Sequence, residues 1–114
     1  KSPADTRRTP KVQITENIIK FGPVKHNAPQ QQRTFTLTNT GDGELIVRAV
    51  ETGGKVATTL MPGQRIPAGS SFTAKATLDP GRQEYGVVTD FVTIITNDPT
   101  RPMRRLRATA IVED

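Results

Sequence analysis

A chain of 114 residues has room for one domain and one modest core, and with four Phe, one Tyr and no Trp that core falls to aliphatic side chains. The absence of cysteine rules out disulfides, zinc–thiolate sites and thiol catalysis, and no apolar run approaches the ~20 residues of a membrane-spanning helix. The net charge of +5 is uneven: Lys1, Arg7, Arg8 and Lys11 oppose only Asp5 at the start, and Arg101, Arg104, Arg105 and Arg107 crowd the end.

Residues 1–10 are polar, hold two prolines and show no apolar period, so they read as a linker ahead of a domain spanning residues 11–114. The chain starts at Lys1 with no signal sequence, which reads as a processed product or a piece of something longer. Residues 11–24 supply Val12, Ile14, Ile18, Ile19, Phe21 and Val24, broken at Glu16-Asn17 and Gly22-Pro23. They predict a first strand in two pieces along a sheet edge, where breaks and proline are tolerated. Residues 33–39 alternate, with Phe35 and Leu37 inward and Thr34, Thr36 and Thr38 outward. The turn Thr40-Gly41-Asp42-Gly43 then predicts a hairpin with residues 44–50. Ile46 and Val50 fall off the face of Leu45, Val47 and Ala49, the mark of a bulge or a second covered surface.

Residues 56–60 read as a short strand, and residues 71–79 alternate most cleanly, with Phe72, Ala74, Ala76 and Leu78 on one face. Residues 85–99 predict the central strand. Val92, Ile94 and Thr96 share one face, Phe91, Thr93 and Ile95 the other, and apolar groups on both describe a strand covered on both sides. Asp98-Pro99 ends it, because proline cannot donate to a ladder. The last strand turns Leu106, Ala108, Ala110 and Val112 inward. No segment sustains a helical period. Seven short strands with turn signals about every 8–12 residues predict an all-β, immunoglobulin-like sandwich of antiparallel strands in two sheets.

Asn39, Asn97 and Asp98, with Asp42 or Glu44, are the residue types calcium prefers, but no continuous calcium loop is present and Asx side chains at strand ends ordinarily cap backbone. No metal site is assigned. His26, the only histidine, has no Gly-x-Ser-x-Gly elbow or carboxylate near it in sequence, so no catalytic residue is assigned either. Gly41-Asp42-Gly43 and Gly53-Gly54 lead into no helix and read as turns rather than phosphate loops. No cofactor is implied. Arg101, Arg104, Arg105 and Arg107 form the one chemistry-bearing cluster, with Arg105 and Arg107 on the strand face opposite Leu106. The simpler reading is a charged edge strand that discourages aggregation; the sharper one is a surface for an anionic partner, without the interleaved aromatics of nucleic-acid readers.

The run Phe35-Thr36-Leu37-Thr38-Asn39-Thr40-Gly41, the Ile66-Pro67-Ala68-Gly69 turn, Leu78-Asp79-Pro80, Tyr85-Gly86 and Thr96-Asn97-Asp98-Pro99 occur in the order of the Hydin-type, or ASH-like, immunoglobulin domains. Over residues 17–112 the chain most resembles an uncharacterised bacterial domain-of-unknown-function family frequent in Bacteroidota. Many of its members carry Cys-Gly-Cys where this chain has Thr52-Gly53-Gly54, so the resemblance carries over no redox or metal role. It implies a cysteine-free copy within a tandem, exported protein of the periplasm or cell surface. The expected role is a non-catalytic structural or protein-interaction module that meets a neighbouring domain or peptide along an edge strand, with a polyanion- or carbohydrate-binding module as the alternative.

Overall fold

The computed structural model describes residues 8–114. Residues 1–7 of the stretch read as a linker lie outside the described residues. Its last residues are tied down: Thr9 donates its amide to Asp42 Oδ1 at 2.9 Å and accepts from the amides of Asp42 and Gly43, and Pro10 is buried.

The described residues form nine strands rather than seven: β1 Val12–Ile14, β2 Ile18–Lys25, β3 Gln31–Asn39, β4 Leu45–Thr52, β5 Val56–Thr58, β6 Arg65–Ile66, β7 Ser71–Leu78, β8 Gly86–Thr96 and β9 Met103–Glu113. The two extra strands have a plain origin. The segment read as one strand in two pieces, residues 11–24, changes sheet at residues 15–17, and β6 is too short to show a period. One sheet runs β1-β3-β7-β5 and the other β2-β9-β8-β4-β6. Strands of alternating small and aliphatic residues pack face to face, as in an immunoglobulin-like sandwich.

Three further expectations are corrected. β2 pairs with β9 in parallel, so the strands are not all antiparallel. β3 and β4 are not a hairpin, since β3 pairs with β1 and β7 while β4 pairs with β6 and β8. Residues 40–44 therefore arch from one sheet to the other, a distinction that alternation cannot make because both partners keep period two. β8 does lie at the centre of the five-stranded sheet, but only one of its faces is covered. Val88, Asp90, Val92, Ile94 and Thr96 are buried, whereas Val87 is 78% and Phe91 39% exposed. The bulge hinted at by Ile46 and Val50 appears as a register shift between Val47 and Ala49.

The core is a single cluster built on Phe35, Leu37, Leu45, Val47, Ile66, Leu78, Val92, Ile94 and Leu106, each at most 1% exposed. Each such side chain contributes roughly 1.5–3 kcal/mol by leaving water. Gly22 in β2 has φ +73°, a conformation that favours glycine, and sits where the β2–β9 register shifts. The shift lets Phe21 and Val24, three apart, both point inward.

Candidate interaction surface

Of the four polar side chains buried among the described residues, Asn39, Asp90, Thr96 and Asp98, all but Thr96 join one sheet to the other. Asn39, fully buried, accepts at Oδ1 from the amides of Lys11 and Gly41 and donates from Nδ2 to the carbonyls of Gly43 and Ile66. Asp98 accepts the Val12 amide on Oδ2 at 2.9 Å, while Oδ1 takes the Thr100 amide and hydroxyl and the Arg101 amide. Burial alone would raise the Asp98 carboxyl, but these hydrogen bonds outweigh it and hold the group below its ordinary value. Asp90 accepts the amides of Gly53 and Phe91 on Oδ1, both at 2.8 Å, and those of Lys55 and Val56 on Oδ2 at 3.0 and 2.9 Å. A Cβ at residue 53 would collide with Asp90 Oδ1, so the close approach requires glycine there. These oxygens are occupied by backbone amides and, at Asp98, by the Thr100 hydroxyl as well.

The sequence offered no reason to single out Asp90, which lies mid-strand with no turn around it. Its signal was parity: it occupies the same inward register as Val88, Val92 and Ile94. An acid on that register needs partners, because an unpaired buried charge is costly.

His26 is half-buried rather than solvated. Its ring stacks on Tyr85 at 4.6 Å between centroids, and Nε2 lies 3.1 Å from the Gln83 carbonyl. A shallow cleft of about 770 Å³ opens beside this pair, lined among others by Lys55, Asp79, Arg82, Glu84 and Tyr85. Charges of both signs meet there. Among the described residues no group of three or more His, Asp or Glu is placed to hold a metal ion.

The four late arginines do not form one surface. Arg101 lies in the β8–β9 connection, where its amide caps Asp98. Arg104 turns inward at the start of β9, with Nη1 3.4 Å from the Val12 carbonyl; burial, then the charge of Arg101, press its pKa down against the pull of Asp98. Arg105 and Arg107 share the outer face, as their spacing predicted, and β9 lies between β2 and β8 rather than at an edge. Their charge therefore does not guard an edge. Both guanidiniums approach the Phe91 ring of the adjacent strand, at 5.4 and 6.0 Å from its centroid. The aromatic missing from β9 itself is thus supplied by β8, because the register sets Phe91 opposite Arg107.

The four sheet edges differ in what they leave open. β1 and β5 are three residues long, and the Val56 amide of β5 is taken by Asp90. β2 is longer but closed: Arg33 donates from Nε to the Lys20 carbonyl and from Nη2 to the Phe21 carbonyl, and Pro23 has no amide to give. β6 covers only Leu45 and Ile46 of β4. Past Val47, which bonds to Gly63 and Gln64, residues 48–52 have β8 on one side and, among the described residues, no strand on the other.

Residues 12–112 match the family described as protein of unknown function (DUF1573), and the chain belongs to that family. No curated protein matches the sequence. Among solved structures, a protein of unknown function from Porphyromonas gingivalis W83 superposes with a TM-score of 0.81 at 20% identity over 91% of this chain and 47% of its own. The ASH/PapD-like domain 7 of human CEP192 gives 0.69 at 15% identity over 91% of this chain and 86% of its own. The E. coli chaperone DraB gives 0.65 at 12% identity over 90% of this chain and 55% of its own. At these identities the likeness establishes the fold. The chain spans about half the length of the Porphyromonas protein.

Proposed function

We propose that this DUF1573 domain is a non-catalytic module that associates with protein, taking an extended peptide or the strand of a neighbouring domain along the free edge of β4. We place it in an exported bacterial protein of the periplasm or cell surface, with further copies of the domain beside it. The observation that carries the reading is the stretch at residues 48–52, which has no strand partner on its outer side among the described residues, in the five-stranded sheet whose opposite edge is closed by Arg33. An edge of this kind supplies main-chain hydrogen bonds to an added strand, and side-chain pockets then set specificity. The periplasmic chaperone SfaE and the E. coli chaperone DraB share the fold and lend the reading support by analogy. The non-catalytic part draws support from His26, whose ring stacks on Tyr85 and whose Nε2 lies against a backbone carbonyl.

A photo-crosslinking residue placed at Glu51, in the protein produced by the bacterium that encodes it, should form a discrete adduct with another protein or domain. The same residue at Thr34, on the exposed face of β3, serves as the control. Equal adducts at both positions, or none at Glu51, would reject the edge. A hydrolytic activity that disappears in His26→Ala would reject the non-catalytic reading.

A further inference from the structure

The outer face of the five-stranded sheet is a second surface, separate from the β4 edge, and its side chains are arranged in rows by the strand register. Pro23, Ile111 and Val87 stand opposite one another across β2, β9 and β8. Next comes Lys20 with Thr109 and Thr89, and then Ile18 with Arg107 and Phe91. Arg105 follows, beside Thr93. The first row is strongly exposed, with Val87 at 78% and Ile111 at 48%, and borders an apolar groove of about 500 Å³ that includes Gly22 and Pro23. Apolar groups at this exposure on a strand face are unusual unless something covers them.

The charge on the middle of this face, between Arg105 and Ile111, is positive, and its acids stand at the margins: Glu51 on β4 and Glu113 at the end of β9. Of the acidic residues on β2, β8 and β9, Asp90 is turned inside and Glu113 ends β9 beside Lys25. Glu51 stands on β4, two strands from Arg105. Among the described residues the ion pairs are Arg65–Glu44 and Arg82–Asp79, so Arg105 and Arg107 meet no carboxylate. What they do meet is the Phe91 ring, which holds both guanidiniums against the sheet rather than free in solvent. Guanidiniums held in place lose less freedom when they bind, and their planar forks match carboxylates two at a time.

We infer that this face binds an acidic, extended protein segment: two carboxylates engage Arg105 and Arg107, and an aliphatic side chain further along fills the groove between Pro23, Ile111 and Val87. The spacing follows from the strand rise. Arg105 and Arg107 are about 7 Å apart, and Ile111 lies about 13 Å beyond Arg107, a span of about four extended residues. A plain polyanion such as a sulfated polysaccharide uses the arginines but has nothing to place in the aliphatic groove, so the groove is what selects protein.

The probe is a fluorescein-labelled synthetic peptide with two glutamates two positions apart and a leucine four positions after the second. Fluorescence anisotropy should report saturable, salt-dependent binding. Affinity should fall about tenfold or more in Arg105→Ser/Arg107→Ser, and several-fold both in Val87→Ser and with a probe in which serine replaces leucine. Arg105→Lys/Arg107→Lys keeps the charge and loses the fork, and should fall between the parent protein and the serine pair; all three positions are exposed, and unchanged melting curves verify the fold. A heparin oligosaccharide that binds as tightly as the peptide, with Val87→Ser without effect, would overturn the inference in favour of a polyanion site. No saturation by the peptide would overturn it as well. The Glu51 crosslink is unaffected by these variants, so failure of this face and failure of the β4 edge are separately visible.

Discussion

Asp90 and Phe91 are consecutive residues of β8, and they face opposite worlds. Asp90 points inward and spends both carboxylate oxygens on four backbone amides, fixing residues 53–56 and with them the edge strand β5. Phe91 points outward under two guanidiniums that have no carboxylate within reach among the described residues. The charge that is buried is fully satisfied and holds the sheets in register. The charge that is exposed is positioned but unsatisfied. A polar residue in this fold is therefore better judged by what its atoms already bond than by its type.

The contrast can be broken at its inner side first. Asp90→Ala leaves the amides of Gly53, Lys55 and Val56 without their acceptor in a part-buried setting, and should cost about 3 kcal/mol in chemical denaturation. A change below about 0.5 kcal/mol would mean the loop does not depend on the clamp. The Asp98 cluster has the smaller expected effect and adds a pH signature. Its carboxyl is held below its ordinary value, so the stability it contributes is fully present above the unfolded value of about 3.9 and is lost as pH falls through the lower folded value. Asp98→Asn should be less stable at neutral pH by about 1–2 kcal/mol and should show a flatter decline in acid than the parent protein. Parallel acid profiles for the two proteins would contradict that assignment. On the outer side, Arg105→Ser/Arg107→Ser should leave stability within about 0.5 kcal/mol, since exposed charges over an exposed ring contribute little. A larger loss would mean the stack is a fold element rather than a binding surface.

Much of the fold could be read from alternation. Phe35, Leu37, Ala74, Ala76, Leu78, Leu106, Ala108, Ala110 and Val112 all took the inward side assigned to them. What alternation could not tell was which sheet each strand joins. The 40–44 arch looks like a hairpin turn in sequence, and it is the strand pairing that shows it crosses between layers, with the Asn39 side chain bridging Lys11, Gly43 and Ile66 at the crossing. The side of β8 that carries Phe91, Thr93 and Ile95 likewise read as a second buried face, because composition does not distinguish a face covered by the fold from one left open. The arginine pair was visible in sequence as a spacing of two. Its aromatic support was not, because Phe91 lies 16 positions from Arg107 and meets it only through the β8–β9 register.

Amide chemical shifts followed by NMR during titration with the labelled acidic peptide separate the two sides of β8 in one experiment. The expected result is saturable shifts along residues 87–95 and 103–111 and around Gly22, with the clamped amides of residues 53–56 unmoved. Shifts centred on residues 79–85, or no shifts at any peptide concentration, would contradict the assignment of the outer face as a working surface of this domain.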